Sequence, residues 1–164
     1  MYNELMKWKI PPEDKVYEAL AAVASGRVRF EGNKSIQAKV YSSSGHKYYT
    51  VHYDAETRSA SSNDNSSFYT GQIGYPIMAV LLASGVIDYD HQVATWLADI
   101  PWKDINTKHK NNWSAAVEEV LHQVEGERGA DTARIRAEVA RIYTEIKALK
   151  LERITDRTKP PTGY

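Results

Sequence analysis

The chain has 164 residues, 42% of them hydrophobic and 26% charged, with 21 basic and 21 acidic side chains and no cysteine. That length suits one domain able to bury a core without a staple, and the missing thiols exclude disulfides, thiol catalysis, iron–sulfur clusters and thiolate zinc sites. A formal charge of zero argues against a protein that coats nucleic acid by bulk charge, and leaves open a segregation of charge onto one face.

Met1 to Trp8 lacks the basic start and apolar stretch of a secretory signal. The longest apolar run, residues 77–83, is far short of the ~20 residues that cross a bilayer, so the expectation is a cytoplasmic protein with no membrane partner. A first helix is predicted after Pro11-Pro12. Val16, Leu20 and Val23 recur there at helical spacing, Glu13 and Asp14 occupy the first turn, and Gly26 supplies the stop. Trp8 and Ile10 are candidates to pack on the domain. The period then changes to two. Val28 and Phe30 alternate with Arg27 and Arg29, and Ile36, Ala38 and Val40 alternate with Gln37, Lys39 and Tyr41, the pattern of half-buried strands. Gly32-Asn33 reads as a two-residue hairpin turn and Ser42-Ser43-Ser44-Gly45 as a second turn. Tyr48-Tyr49-Thr50-Val51-His52-Tyr53 is rich in strand formers, and a short fourth strand is expected around residues 58–61.

Residues 62–67 form a polar loop by composition. A helix beginning near Tyr75-Pro76 carries Ile77, Val80 and Leu81 and stops at Gly85; its solid apolar content places it against the sheet. The rest reads helical. Asp90 is a cap for a helix with Val93, Trp96 and Leu97, which Ile100-Pro101-Trp102 breaks. Asn112 is a cap for another with Trp113, Val117, Val120, Leu121 and Val124 on one face. Residues 125–129 read as a linker, and Asp131 opens a last helix. These elements predict an α+β domain: an antiparallel three- to four-stranded β-meander packed by a helix (residues 26–88), followed by a helical C-terminal region (89–154). Residues 1–154 are then a single domain, and 155–164 a disordered tail.

The stretch Val40-Tyr41-Ser42-Ser43-Ser44-Gly45-His46-Lys47-Tyr48-Tyr49-Thr50-Val51, followed by Gly74-Tyr75-Pro76-Ile77-Met78-Ala79-Val80-Leu81-Leu82, resembles a SWIM-type zinc finger over residues 38–85. That family pairs a Cys-x-Cys at a strand end with a Cys-x-His that opens a helix. Here Ser59-Ala60-Ser61-Ser62 stands at the first pair, and Gly74 and Pro76 at the second. Serine hydroxyls do not replace thiolate or imidazole on zinc. The resemblance therefore implies a metal-free ββα module that binds nucleic acid or protein and inherits no catalysis.

Alternation sends Val28, Phe30, Ile36, Ala38, Val40, Tyr49, Val51 and Tyr53 inward and Arg27, Arg29, Gln37, Lys39, Tyr41, Tyr48, Thr50 and His52 outward. The outward set combines cations for phosphates with rings for unpaired bases. Arg27, Arg29, Lys39, Tyr41, Tyr48 and His52 are accordingly the candidate nucleic-acid contacts. The competing reading is an ordinary solvated sheet face, or one covered by the C-terminal helices, with tyrosines present as strand formers.

Metal, cofactor and catalytic signals are thin. His46 and His52 share a predicted face but stand about 20 Å apart along a strand, and His91, His109 and His122 are isolated, so no metal and no cofactor is expected. Asn63-Asp64-Asn65 lacks the glycine and terminal glutamate of a calcium loop and suits a turn. The serine turn matches neither a nucleophile elbow nor a phosphate loop. A non-enzymatic binding module is thus the reading, with an enzyme built on residues 63–67 as a rival. Ile135, Val139, Ile142, Ile146 and Leu149 follow the steps of a coiled-coil seam. That seam either packs on its own chain, against Trp113, Val117, Val120 and Leu121, or forms a homodimer or protein-interaction surface.

Overall fold

The computed structural model describes residues 7–32, 35–154 and 158–162. Its first helix, α1 (Lys15–Ala24), leads into β1 (Val28–Glu31), β2 (Ile36–Tyr41), β3 (Tyr48–Asp54) and β4 (Ser59–Ser62). One wide helical turn (Ser66–Thr70) precedes α2 (Tyr75–Ala83). The chain then runs through α3 (His91–Trp96), α4 (Trp102–Lys108), α5 (Trp113–Arg128) and α6 (Thr132–Leu149) to β5 (Glu152–Arg153). The sheet order is β1-β2-β3-β4-β5. The first four strands pair antiparallel as the expected meander, and β5 adds a parallel edge beside β4.

Register follows burial. Val28 pairs with Val40, Ala38 with Val51 and Tyr53 with Ala60, so one face collects apolar side chains. Against that face lies α2. Proline stands at its start, where the missing N–H costs no bond. Ile77, Met78, Ala79, Val80, Leu81 and Leu82 are all buried; a helix apolar on every side is one enclosed on every side. Its other flank meets α1, where Ala19, Ala21 and Ala22 are fully buried and let the backbones come close. Trp8 and Lys9, ahead of α1, are tied to the sheet and its neighbouring loop. Trp8 is buried, its indole N–H donates to the Ala60 carbonyl at 3.1 Å, and the neighbouring Lys9 amide donates to Gly71 at 2.9 Å. Ile10 stays 40% exposed.

Several expectations are corrected. Phe30 shares the parity of Val28 but is 50% exposed, so the inner face is not buried along the whole of β1. β1 ends at Glu31 and β2 begins at Ile36, so that connection is longer than a two-residue turn; Asn33 and Lys34 lie outside the described residues. Helix α5 continues through the predicted linker to Arg128 and stops at Gly129, whose φ is +62°. The caps fall where the sequence puts them. Asp90 accepts from the Gln92 and Val93 amides, Asn112 from Ala115 and Asp131 from Arg134.

The seam of α6 is filled by its own chain. Ile135, Val139, Ile142 and Ile146 are each no more than 1% exposed, because α6 lies against α1 and α3. It meets α5 through a surface ion pair, Arg136 with Glu118 at 2.7 Å. Those four residues have no surface left for a homodimer; Leu149, the fifth of the predicted seam, is only partly buried. Within the stretch expected to be a disordered tail, Pro160 is buried and the Asn63 amide donates to the Lys159 carbonyl at 3.3 Å; residues 155–157, 163 and 164 lie outside the described set. Among the described residues, no helix is long and apolar enough to cross a membrane.

Candidate nucleic-acid interface and polar cleft

Five of the six candidate contacts share the outer face. Ladder pairs Arg29↔Lys39, Lys39↔Thr50, Tyr41↔Tyr48 and Gln37↔His52 stack these side chains in adjacent rows. The Arg29 guanidinium lies 5.0 Å from the Tyr41 ring and the Lys39 ammonium 4.8 Å from the Tyr48 ring, both within cation–π range. The two rings are tilted at 50° with centroids 5.5 Å apart. Tyr48 is 42% exposed. Lys39 also pairs with Glu31 at 3.1 Å, and this contact raises its pKa. His52 belongs to the next row, where its Nε2 and the Ser35 hydroxyl are 2.8 Å apart. The helices occupy the other face, so they do not bury this one.

Arg27 does not join them. It lies before β1, where strand alternation no longer governs direction, and its Nη1 donates to the Tyr41 carbonyl at 2.7 Å. From there the side chain lines a cavity on the helix side of the sheet, with Tyr49, Tyr75 and Trp102. Its assignment to the outer platform is therefore corrected.

That cavity encloses about 340 Å³ between α1, the β2–β3 turn, the start of α2 and α4. Glu18 on α1 is 7% exposed; it pairs with Lys15 at 2.9 Å and accepts from the Asn106 amide at 3.1 Å. Tyr75 stands edge-on to Tyr49 with centroids 6.4 Å apart, and burial pushes its hydroxyl pKa upward. A neighbouring pocket of about 150 Å³ shares Lys15, Glu18, Tyr49, Asn65 and Tyr75 and reaches Asp64. Sequence reasoning missed this cleft, since Glu18, Arg27, Tyr75, Trp102 and Asn106 carry no common motif.

Asp64, buried at the end of that pocket, is bonded by its neighbours in the chain. Ser62 and Ser67 hydroxyls donate to one carboxylate oxygen, each at 2.6 Å, and the Ser67 amide donates to the other at 3.1 Å. Desolvation raises its pKa against those bonds. The carboxylate rests directly against Gly74, leaving no room for a Cβ there. The polar loop expected over residues 62–67 is shorter than that: Ser62 ends β4, and Ser66 and Ser67 already belong to the wide helical turn, with the Asp64 carboxylate bonding the two together. The histidines are dispersed. His91 stacks on Tyr89 at 4.5 Å and His109 faces Glu119 at 3.2 Å. Among the described residues no cluster of three or more histidines or carboxylates is placed to hold a metal ion.

Residues 8–152 match the model of a family described as uncharacterised conserved protein UCP014422. No curated protein and no solved structure matches the chain.

Proposed function

The chain belongs to that family, and from the geometry above we propose that it is a non-enzymatic binding module that holds single-stranded nucleic acid across the outer face of its sheet. One observation carries the reading: two cations and two tyrosines, Arg29 with Tyr41 and Lys39 with Tyr48, interleave on a face the helices leave uncovered. Unpaired bases stack on the rings while phosphates take the cations. A phosphate reaching Lys39 must displace Glu31, so that contact gives less affinity than one made to an unpaired lysine. His52 and Gln37 extend the strip along the strands.

The SWIM-like reading fits beside this one. Ser59, Ser61 and Ser62 on β4 and Gly74 and Pro76 at the start of α2 mark the positions where that family holds zinc. In this chain the Asp64 carboxylate, bonded to Ser62 and Ser67 and seated on Gly74, would tie strand to helix in the metal's place.

Replacing Arg29 and Lys39 together by glutamine is expected to weaken binding of an oligothymidylate about tenfold and to lower its log–log salt slope by about 1.4, or ~0.7 for each lost contact. Tyr48→Ala is expected to weaken it by about tenfold through lost stacking. Fluorescence anisotropy over a salt series reads both. Arg27→Gln, off the platform, leaves affinity unchanged. An unaltered affinity and slope in the double variant removes the proposal.

A further inference from the structure

The polar cleft is built differently from the sheet face, and its chemistry points to a different occupant. Trp102 and Asn106 both line it, and they are 3% and 8% exposed. Among the described residues, the Trp102 indole N–H and the Asn106 Oδ1 have no hydrogen-bond partner. They stand four residues apart on α4, hence on one side of that helix. The Asn106 nitrogen is already committed to Glu18, so the carbonyl oxygen is what it offers. A buried donor and a buried acceptor left unpaired carry an unfavourable desolvation cost that a matching ligand recovers.

Charge narrows the match. Lys15, Arg27 and Lys103 line the cavity and Glu18 is the one carboxylate among its lining residues. Lys15 and Glu18 largely neutralise each other, leaving the cationic side in excess. Desolvation and the nearby Lys47 lower the Lys103 pKa, a strain that an anion beside the ammonium relieves. Tyr49, Tyr75 and Trp102 supply the nonpolar wall.

We propose that this cleft binds a small organic anion bearing a hydroxyl group, such as a hydroxycarboxylate or a phosphorylated polyol. Its anionic oxygens face Arg27 and Lys103 and accept from the Trp102 N–H, while its hydroxyl donates to Asn106 Oδ1. A volume of about 340 Å³ admits a ligand of that size. The site does not depend on the nucleic-acid reading, since the two groups of residues lie on opposite faces of the sheet.

Calorimetric titration of the full chain at fixed ionic strength tests this with two matched pairs: malate against succinate, and glycerol 3-phosphate against propyl phosphate. In at least one pair the hydroxylated member is expected to bind about tenfold more tightly. Trp102→Phe keeps a ring and removes the N–H, and lowers that affinity about tenfold. Lys103→Gln, at the rim, lowers it several-fold and keeps the test decisive if the tryptophan variant fails to fold. The Arg29/Lys39 double variant binds these anions as the parent does, which separates this site from the sheet face. Absence of binding at millimolar concentration, equal affinity within both pairs, or indifference to Lys103→Gln overturns the proposal.

Discussion

Tyr48 and Tyr49 are neighbours in β3 and occupy different media. Tyr48 points to solvent, 42% exposed, beneath the Lys39 ammonium; Tyr49 is 8% exposed and meets Tyr75 edge-on at the mouth of the cleft. The same contrast holds for the two faces as wholes. The outer face is a shallow array whose cations and rings contact each other and water. The inner one is a packed layer under α2, with polar groups collected at one end around the cavity that α1, α4 and the sheet line together. One pleat thus carries the two proposed sites: the exposed array for an extended, flexible polyanion, and the cleft for a small molecule.

Stability should divide along the same line, and the largest effect lies at the Asp64–Gly74 contact on the inner side. Gly74 has φ −91° and ψ 168°, so its backbone does not require glycine; space does. An added methyl would stand 2.7 Å from the Asp64 Cγ and closer still to Oδ1. Gly74→Ala is expected to cost about 3 kcal/mol in denaturant unfolding. In the Asp64→Ala background the same substitution should cost at least about 1 kcal/mol less. Strict additivity would mean that the carboxylate is not what fills the space.

Next comes a pair of substitutions at either side of the β1–β2 ladder. Val40→Ala removes a fully buried side chain and is expected to cost about 2 kcal/mol. Arg29→Ala removes an exposed one and should cost under about 1 kcal/mol, the value of its contact with Tyr41. Equal losses in chemical denaturation would show that the outer face is not the solvated one.

The smallest effect is a slope. Because desolvation raises the Asp64 pKa, that group's contribution to stability is full below the ordinary carboxylate pKa. It is lost as pH rises through the raised folded value. Glu119, bonded by Lys108, and Glu138, bonded by Arg141, are lowered and act in the opposite sense, so their contribution is lost as pH falls. The stability of the parent minus that of Asp64→Asn cancels those two. This difference should decline with rising pH across the acid range; a flat difference would place Asp64 in a more solvated setting.

Much of the architecture was legible because its signals are local. Alternation at Ile36, Ala38 and Val40 named the inward face of β2, and Asp90, Asn112 and Asp131 named three helix starts from a side chain that reaches only two or three residues ahead. The short parallel strand β5 escaped notice, since two residues carry no period. Phe30 was misplaced because parity says which way a side chain points and not whether anything covers it. Of the platform, Arg29, Lys39, Tyr41, Tyr48 and His52 could be read from spacing alone. Arg27 could not, because one residue outside the strand the rule of alternation ends.

What the amino-acid order determined by itself was the pattern of faces: which side chains alternate, where helices begin, and that no thiol chemistry is present. Only the tertiary structure decided the cleft, the filling of the α6 seam and the seat of Asp64 on Gly74. Each of these is a contact between elements distant along the chain, set by which surfaces remain after the larger apolar faces have been buried. No short-range pattern encodes that residue. It is the remainder of a packing problem solved by the whole fold.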